Sequence, residues 1–404
     1  NFRGPAADTS QPQFPIRAAF YYAWYPEAWS RDTVFPYSRF VPSLDYYSAD
    51  EAQIVQAHLA ALRYAHLSAG IYSWWGPFGY PFTDTRFWRY LAAARTTPFR
   101  WALYYEREGY EDPGVEKIRS DLEYIRDLYA GKPGYLKIDG HFVVFVYGGP
   151  GDSCETVTQR WREANTVGAY IVLKAFAGYL TCNAQPQAWH EYSAALPAYS
   201  LPPSAFMISP GFDEAGAQQP RLTRDLSRWR EDVNAMVASG AAWQLVLSFN
   251  EWPEGTSVES ARQWETPSGY GAYLDVLHDV LPVPERHDVV GVAVPPPHRH
   301  FDLGKPEAPV TPEQTGVVDD GLDVVVAEEG CLSIPGVSGV VERPLTVIVE
   351  GMDRAFLTGL GRDSLTLTVP ESVFIMFQLT FANSQGTTFA QTARGGFPDA
   401  LFLG

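Results

Sequence analysis

Cysteine is scarce: Cys154, Cys182 and Cys331 are three in 404 residues, so not all can pair within the chain. Neither a CxxC nor an HExxH spacing occurs, which leaves a structural zinc site or a zincin-type metal centre little support. Cys154 and Cys182 flank one helix-and-strand unit; they either bridge, in an exported protein, or stay as buried thiols. Cys331 reads as a buried apolar residue of a separate β-rich region. Basic residues are also few, 30 Lys and Arg against 47 Asp and Glu, and the net charge of −17 argues against binding nucleic acid or anionic membrane through a general basic surface. No stretch reaches the about 20 apolar residues of a membrane span, so membrane insertion is not expected. The polar opening NFRGPAADTSQPQFP shows no charged-then-apolar leader. It reads as a mature N-terminus or a linker and favours a secreted or cell-surface protein over a cytoplasmic one.

What the chain has in quantity is aromatic residues, and many of its Trp and Tyr stand beside Gly and Pro at strand ends. A packed core does not need them there, whereas a sugar-binding cleft does, because an aromatic face carries apolar area with a polar edge. From 17 to 282 short apolar runs alternate with helical patterns. The strands read at 18–25, 69–75, 99–106, 141–148, 168–176, weakly near 192–199, 204–212 and 243–252. SADEAQIVQAHLAALRYAHL begins with Ser48 as N-cap and Glu51 in capping-box spacing. Eight such units predict a (β/α)8 TIM barrel; the rival, an open doubly wound sheet, is weakened because no Gly-rich nucleotide fingerprint follows the first strand. Residues 1–16 form an extension and 283–315 a Pro-rich linker. Residues 316–404, with β-branched runs between turn residues, predict a small all-β sandwich serving as an accessory domain.

At the C-terminal ends of barrel strands, where active sites gather, stand Tyr21, Tyr22, Trp24 and Tyr25, then Trp74 and Trp75, Tyr105 and Glu106, Tyr147, Ser209, and last Asn250, Glu251, Trp252 and Glu254. Aromatic residues with three carboxylates and almost no His point to sugar chemistry. Glu251 and Glu254 are a candidate acid and base pair for glycosidic cleavage, since one carboxyl must protonate the leaving oxygen and a second act as base or nucleophile. A helical turn after the strand would set them on one face, where their mutual repulsion raises one pKa. They could equally be a solvated loop pair. Tyr22, Trp24, Trp74, Trp75, Glu106, Tyr147, Asn250 and Trp252 are the candidate substrate contacts. The adjacent Trp74 and Trp75 point to opposite sides of a strand, so one is core and the other a sugar platform. Glu106 binds hydroxyls or pairs with an Arg of the wall, and Asn250 orients Glu251 or a hydroxyl.

FYYAWY, GIYSWWG, LYYE, ISPGFDE and above all FNEWPEGTSVE resemble the endo-α-mannosidase family, glycoside hydrolase family ninety-nine, over about residues 17–280. The resemblance implies a barrel hydrolase that retains anomeric configuration and needs no cofactor or metal. Glu251 would act as base on the substrate's own 2-hydroxyl, giving a 1,2-anhydro sugar, and Glu254 as acid and then base. An internal hydroxyl held beside the anomeric carbon supplies the effective molarity. Pro253 replaces a His that is frequent in that family, so a substrate contact there is lost. The partner expected is a glycan or polysaccharide with a free 2-hydroxyl, mannan-like or from a bacterial wall, as Ala-, Arg- and Pro-rich usage hints at a high-GC bacterium. A glycosyltransferase-like or transglycosylating barrel, or a non-catalytic carbohydrate-binding protein, remains the alternative. EEGCLSIPGVSGVVERP at 328–344 resembles a cysteine-containing segment of peptide deformylases, but without HExxH it is read as coincidence on a hairpin. His298 and His300 read as polar surface of the linker. Oligomeric state leaves no mark in the sequence.

Overall fold

The computed structural model describes residues 6–283 in full, except 150, and beyond them the backbone of seven strands. It divides into two compact units, Pro5–Phe301 and Asp302–Gly404 with Asn1–Gly4.

The larger unit holds ten strands: β1 (Ile16–Tyr21), β2 (Ala69–Trp74), β3 (Arg100–Tyr105), β4 (Lys137–Ile138), β5 (His141–Val146), β6 (Tyr170–Lys174), β7 (Ala188–His190), β8 (Ala198–Leu201), β9 (Ala205–Ile208) and β10 (Trp243–Val246). They hydrogen-bond in the order β7-β6-β5-β3-β2-β1-β10-β9-β8. All these neighbours are parallel except β8, antiparallel to β9; β4 adds antiparallel to β5. The result is a mixed sheet rolled into a nearly closed barrel. At the remaining seam, between β7 and β9, the Ser204 hydroxyl accepts from the Trp189 N–H (2.8 Å) and donates to the Trp189 carbonyl (2.7 Å). One side chain there does what a ladder rung does elsewhere.

Strand alternation sorts the apolar residues into two cores. Ala18, Phe20 and Tyr22 pack with Ile71, Tyr104, Phe145, Met207 and Leu245 in a cluster that contains no helix residue, and so fills the barrel. Ala19 and Tyr21 pack with Tyr72, Trp101 and Val144 against helix residues such as Leu59, Phe87 and Ile118. Those helices are α1 (Ala52–Tyr64), α2 (Thr83–Ala94), the single turn α3 (Glu108–Glu111), α4 (Val115–Ile125), α5 (Arg160–Ala164), α6 (Leu226–Ala238) and α7 (Ala272–Val280). In α1 the buried Ile54, Val55, His58, Leu59 and Leu62 recur at helical spacing.

Three expectations are corrected. Helix α1 starts at Ala52 with Glu51 in the N-cap place, and Ser48 does not cap it. Its hydroxyl accepts from Asp50 N–H while its own N–H donates to Glu51, closing a turn ahead of the helix. The strict (β/α)8 alternation fails between β6 and β9: among the described residues only a 3-10 turn, Tyr179–Thr181, follows β6, and only β8 follows β7. The strand expected near 192–199 lies at 188–190, because the Gly-, Asn- and Pro-punctuated stretch before it forms no helix and shortens the crossover. Cys154 and Cys182 are bridged, with Cα atoms 5.1 Å apart, tying the start of the helical segment before β6 to this stretch.

The smaller unit is described by backbone alone. Asp323–Ala327, Thr346–Glu350, Arg354–Leu360, Ser364–Leu367 and Leu401–Phe402 make a five-stranded antiparallel sheet, and Met376–Ala382 pairs antiparallel with Thr388–Arg394. The expected linker beyond 283, with His298 and His300, and the segment at 328–344 with Cys331 lie outside the described residues.

Replacing Ser204 with Ala leaves the Trp189 N–H and carbonyl without that rung. Urea unfolding of the barrel should show a loss of about 1–2 kcal/mol, the cost of unpaired, part-buried backbone groups.

Candidate active site

The chain leaves β10 and folds back on itself over 247–260. Ser248 N–H donates to the Thr256 carbonyl (3.1 Å), the two hydroxyls meet at 2.8 Å, and Glu251 N–H donates to the Ser248 hydroxyl (2.8 Å). The segment is a hydrogen-bonded turn at 252–255, not the helical turn that would have set the two glutamates on one helix face. Gly255 closes it at φ +64°, and a Cβ there would stand 2.4 Å from the Asp213 carbonyl oxygen, so the close approach of the neighbouring loop demands glycine. The carbonyls of Pro253 and Glu254 accept from Ala215 and Asp213, and Arg224 donates to the carbonyls of Gly255 (2.8 Å) and Ser257 (2.7 Å).

Behind the turn, Glu259 is buried with both oxygens engaged: His58 Nε2 at 3.0 Å, the Tyr47 hydroxyl at 2.8 Å and Trp252 Nε1 at 3.1 Å. His58 Nδ1 meets the Tyr21 hydroxyl at 2.7 Å. This network latches the turn to α1 and leaves the other two glutamates facing the mouth.

Those two are differently provided. Glu251 is 2% exposed and Glu106, just after β3, 4%. Glu251 Oε2, Glu254 Oε2 and Glu106 Oε1 are buried with no hydrogen-bond partner. Burial, then the charges of Glu254 and Glu106, push the Glu251 pKa well up. Burial also pushes Glu254 up to about 7, with Glu214 adding and Arg221 and a Tyr192 hydrogen bond opposing. Glu106 is pushed up to about 8, again by burial, with a Ser73 hydrogen bond opposing and Glu254 adding. Three carboxyls that sense one another in a desolvated mouth cannot all be ionised at neutral pH.

Of the expected substrate contacts, Glu106 is one of these three carboxyls, and four more stand around them. Tyr22 points into the barrel, and its hydroxyl lies 2.5 Å from that of Tyr192. Trp24 donates to Ser73 (3.1 Å), the hydroxyl that also bonds Glu106, and its ring meets Tyr22 and Trp75 at 4.7 and 6.4 Å. Tyr147 and Trp75 are half-buried, and both contact the ring of Tyr110. Glu106 makes no ion pair with an Arg among the described residues.

Trp74, Asn250 and Trp252 are corrections. Trp74 faces outward, donating to Asp84 of α2 (2.8 Å). Asn250 is fully buried and clamps the end of β1, accepting from Tyr22 N–H and donating to the Tyr22 carbonyl, each at 2.8 Å, and donating to the Tyr47 hydroxyl (3.2 Å), so its amide is spent within the protein. Trp252 lies behind the turn between Trp29 and Trp264. Of the other strand-end residues, Tyr21 and Tyr105 also face helices, Tyr25 donates to the Asn250 carbonyl, and Ser209 to that of Ala194. Tyr192, Tyr104 and Tyr110 belong to the site and were missed. Inward alternation two residues before Glu106 marks Tyr104, whereas Tyr192 required the right placement of β7.

The barrel has the fold of two structures of the GH99 endo-alpha-mannosidase from Bacteroides thetaiotaomicron. One, in complex with BIS-TRIS-Propane, has a TM-score of 0.53 at 18% identity, covering 66% of this chain and 95% of that one. The other has a TM-score of 0.53 at 19% identity, covering 66% and 96%. Elsewhere in the chain, the polypeptide deformylase family matches residues 310–358. Peptide deformylase 3 of Streptomyces avermitilis is 36% identical over 85 residues, 21% of this chain; the chain spans 33% of that protein's length. The deformylase likeness is therefore longer than the single hairpin on which it was read as coincidence.

A carboxyl whose folded pKa is raised keeps its proton when the unfolded chain has lost it, so folding loses stability as pH rises from the unfolded value to the folded one. For Glu106 that window runs from 4.5 to about 8. Unfolding free energy should fall across it, and Glu106→Gln should flatten the fall and stabilise the protein at its upper end, as measured by denaturant titration at several pH values.

Proposed function

We propose that the barrel is a retaining glycoside hydrolase cleaving α-linked glycans, mannan-like or from a bacterial wall. Glu251 acts as base on the substrate 2-hydroxyl and Glu254 as general acid and then base, through a 1,2-anhydro sugar. The observation that carries this reading is the pair itself: two glutamates on one latched turn, each with a buried, unpartnered oxygen, in a mouth lined by Tyr22, Trp24, Trp75 and Tyr147. A structural carboxylate of this chain looks otherwise, as Glu259 does with every oxygen satisfied.

The chemistry follows from the proton count. An acid and a base side by side need one proton between them, and mutual repulsion favours the singly protonated pair. Burial raises Glu251 further than Glu254, so the shared proton rests mainly on Glu251, and the reactive form is the minority one with the proton on Glu254, partly exposed towards the mouth: there the ionised Glu251 can draw the 2-hydroxyl proton while Glu254 protonates the leaving oxygen. The anhydro ring then opens as Glu254 takes a proton from water and Glu251 returns its own. The neighbours in fold add the α-mannosidic bond as a candidate, since both are structures of an endo-alpha-mannosidase. Pro253, with its carbonyl held by Ala215, offers no side-chain or N–H contact to substrate, so the sugar recognised can differ.

The Cys154–Cys182 bridge supports an exported or surface-bound protein, because such bridges persist in oxidising compartments. Residues 316–404 we take as an accessory β-sandwich beyond a linker at 283–315.

Incubation with α-mannans and bacterial wall polysaccharides, with released sugars followed by mass spectrometry, tests the reading. Glu251→Gln and Glu254→Gln should each lower kcat by about 100-fold or more. In the wild type, kcat/KM should fall as pH rises above neutrality, where the pair loses the one proton that the leaving group needs. Product formed only from an activated sugar donor would indicate a transferase. Binding without turnover in all three proteins would leave a lectin-like barrel.

A further inference from the structure

A lysine stands in this acidic mouth without an acid to hold it. Lys174 ends β6 and, two residues from the inward Val172, lies on the strand face that fills the barrel. It is half-buried, and its Nζ sits 5.5 Å from the centre of the Tyr147 ring. Among the described residues it makes no ion pair within 4.0 Å. Asp152, which senses the lysine's charge as His190 does, accepts instead from Gly149 N–H (3.0 Å).

Lys174 also ends a row. Trp75 follows β2, Tyr110 lies in α3 after β3, Tyr147 follows β5 and Lys174 closes β6; these four strands are consecutive neighbours in the sheet. Trp75 and Tyr110 are 5.0 Å apart at 38°, Tyr110 and Tyr147 5.7 Å apart at 26°, and Tyr110 is 65% exposed. Aromatic faces along a rim hold successive sugar rings without regard to charge. The ammonium at the end does discriminate, because a partly desolvated cation with no protein acceptor gains most from an anionic partner.

We propose that Lys174 determines specificity for a glycan bearing an anionic substituent, a carboxylate, phosphate or sulfate ester, on a sugar unit bound along the Trp75–Tyr110–Tyr147 row. The inference rests on the glycan-binding part of the reading above, and it is independent of which glutamate does the chemistry. Recognition is an ion-paired hydrogen bond from Nζ to the substituent's oxygen, added to stacking that neutral and charged glycans share.

The test uses matched probes and a protein that binds without turnover. Full-length Glu251→Gln is titrated by calorimetry with uronate-containing oligosaccharides before and after carboxyl reduction, and with phosphorylated mannan oligosaccharides before and after phosphatase treatment. Expected is a preference of about tenfold or more for the charged member of one pair, the worth of one charge-assisted hydrogen bond, weakening as salt is raised. Which pair shows it identifies the anion. Adding Lys174→Met should equalise the two members, and adding Lys174→Arg should keep the preference, with folding of each checked by thermal melting. Equal affinity within every pair, or a preference that survives Lys174→Met, overturns the proposal. If neither member of any pair binds, it is overturned as well; turnover of a neutral glycan by the wild type would then still uphold the hydrolase reading.

Discussion

Everything at the mouth of this barrel depends on the burial of carboxyl groups that no ion pair among the described residues neutralises. An ionised carboxylate taken from water without a partner costs several kcal/mol, and a protein escapes most of that cost by keeping the proton on. Glu106, Glu251 and Glu254 do this together, each raised by burial before any neighbour's charge is counted. The folded protein thereby gives up stability at neutral pH and gains a poised acid.

Such groups need rigid support, since a turn free to swing would carry them into water. The support comes from the third glutamate of the same segment. Glu259 is ionisable and buried too, but His58, Tyr47 and Trp252 satisfy it from behind, and Arg224 holds the carbonyls of Gly255 and Ser257. Asn250 locks the turn's root to the end of β1. Within a dozen residues the chain therefore alternates groups that fix the backbone with groups left unsatisfied towards the cleft.

Much of this was legible in the sequence, and the limits have physical causes. The strand HFVVFV lies where it was expected to within two residues, whereas IRAAFY begins two residues before the expected 18–25 and ends at Tyr21. The three-residue β7 carries too little pattern to place, and its displacement hid Tyr192. Alternation on a true strand separates Trp75 from Trp74. It says nothing of Trp252 or Asn250, which lie past the end of β10 where the chain turns and the period of two is lost. Composition found the carboxylates; only the folded chain tells a latch such as Glu259 from a carboxyl left with an unpartnered oxygen such as Glu251.

The claim that these carboxyls hold a proton at neutral pH is open to direct observation. In protein labelled with carbon-13 at the glutamate side-chain carboxyls, titration followed by NMR, with Glu106→Gln, Glu251→Gln and Glu254→Gln used for assignment, reports each group. The account predicts resonances for Glu106 and for the Glu251–Glu254 pair that titrate near or above neutrality, with removal of either pair member lowering the other's midpoint. All three titrating together in the ordinary carboxylate range, near 4.5, and indifferent to one another's removal, would contradict it.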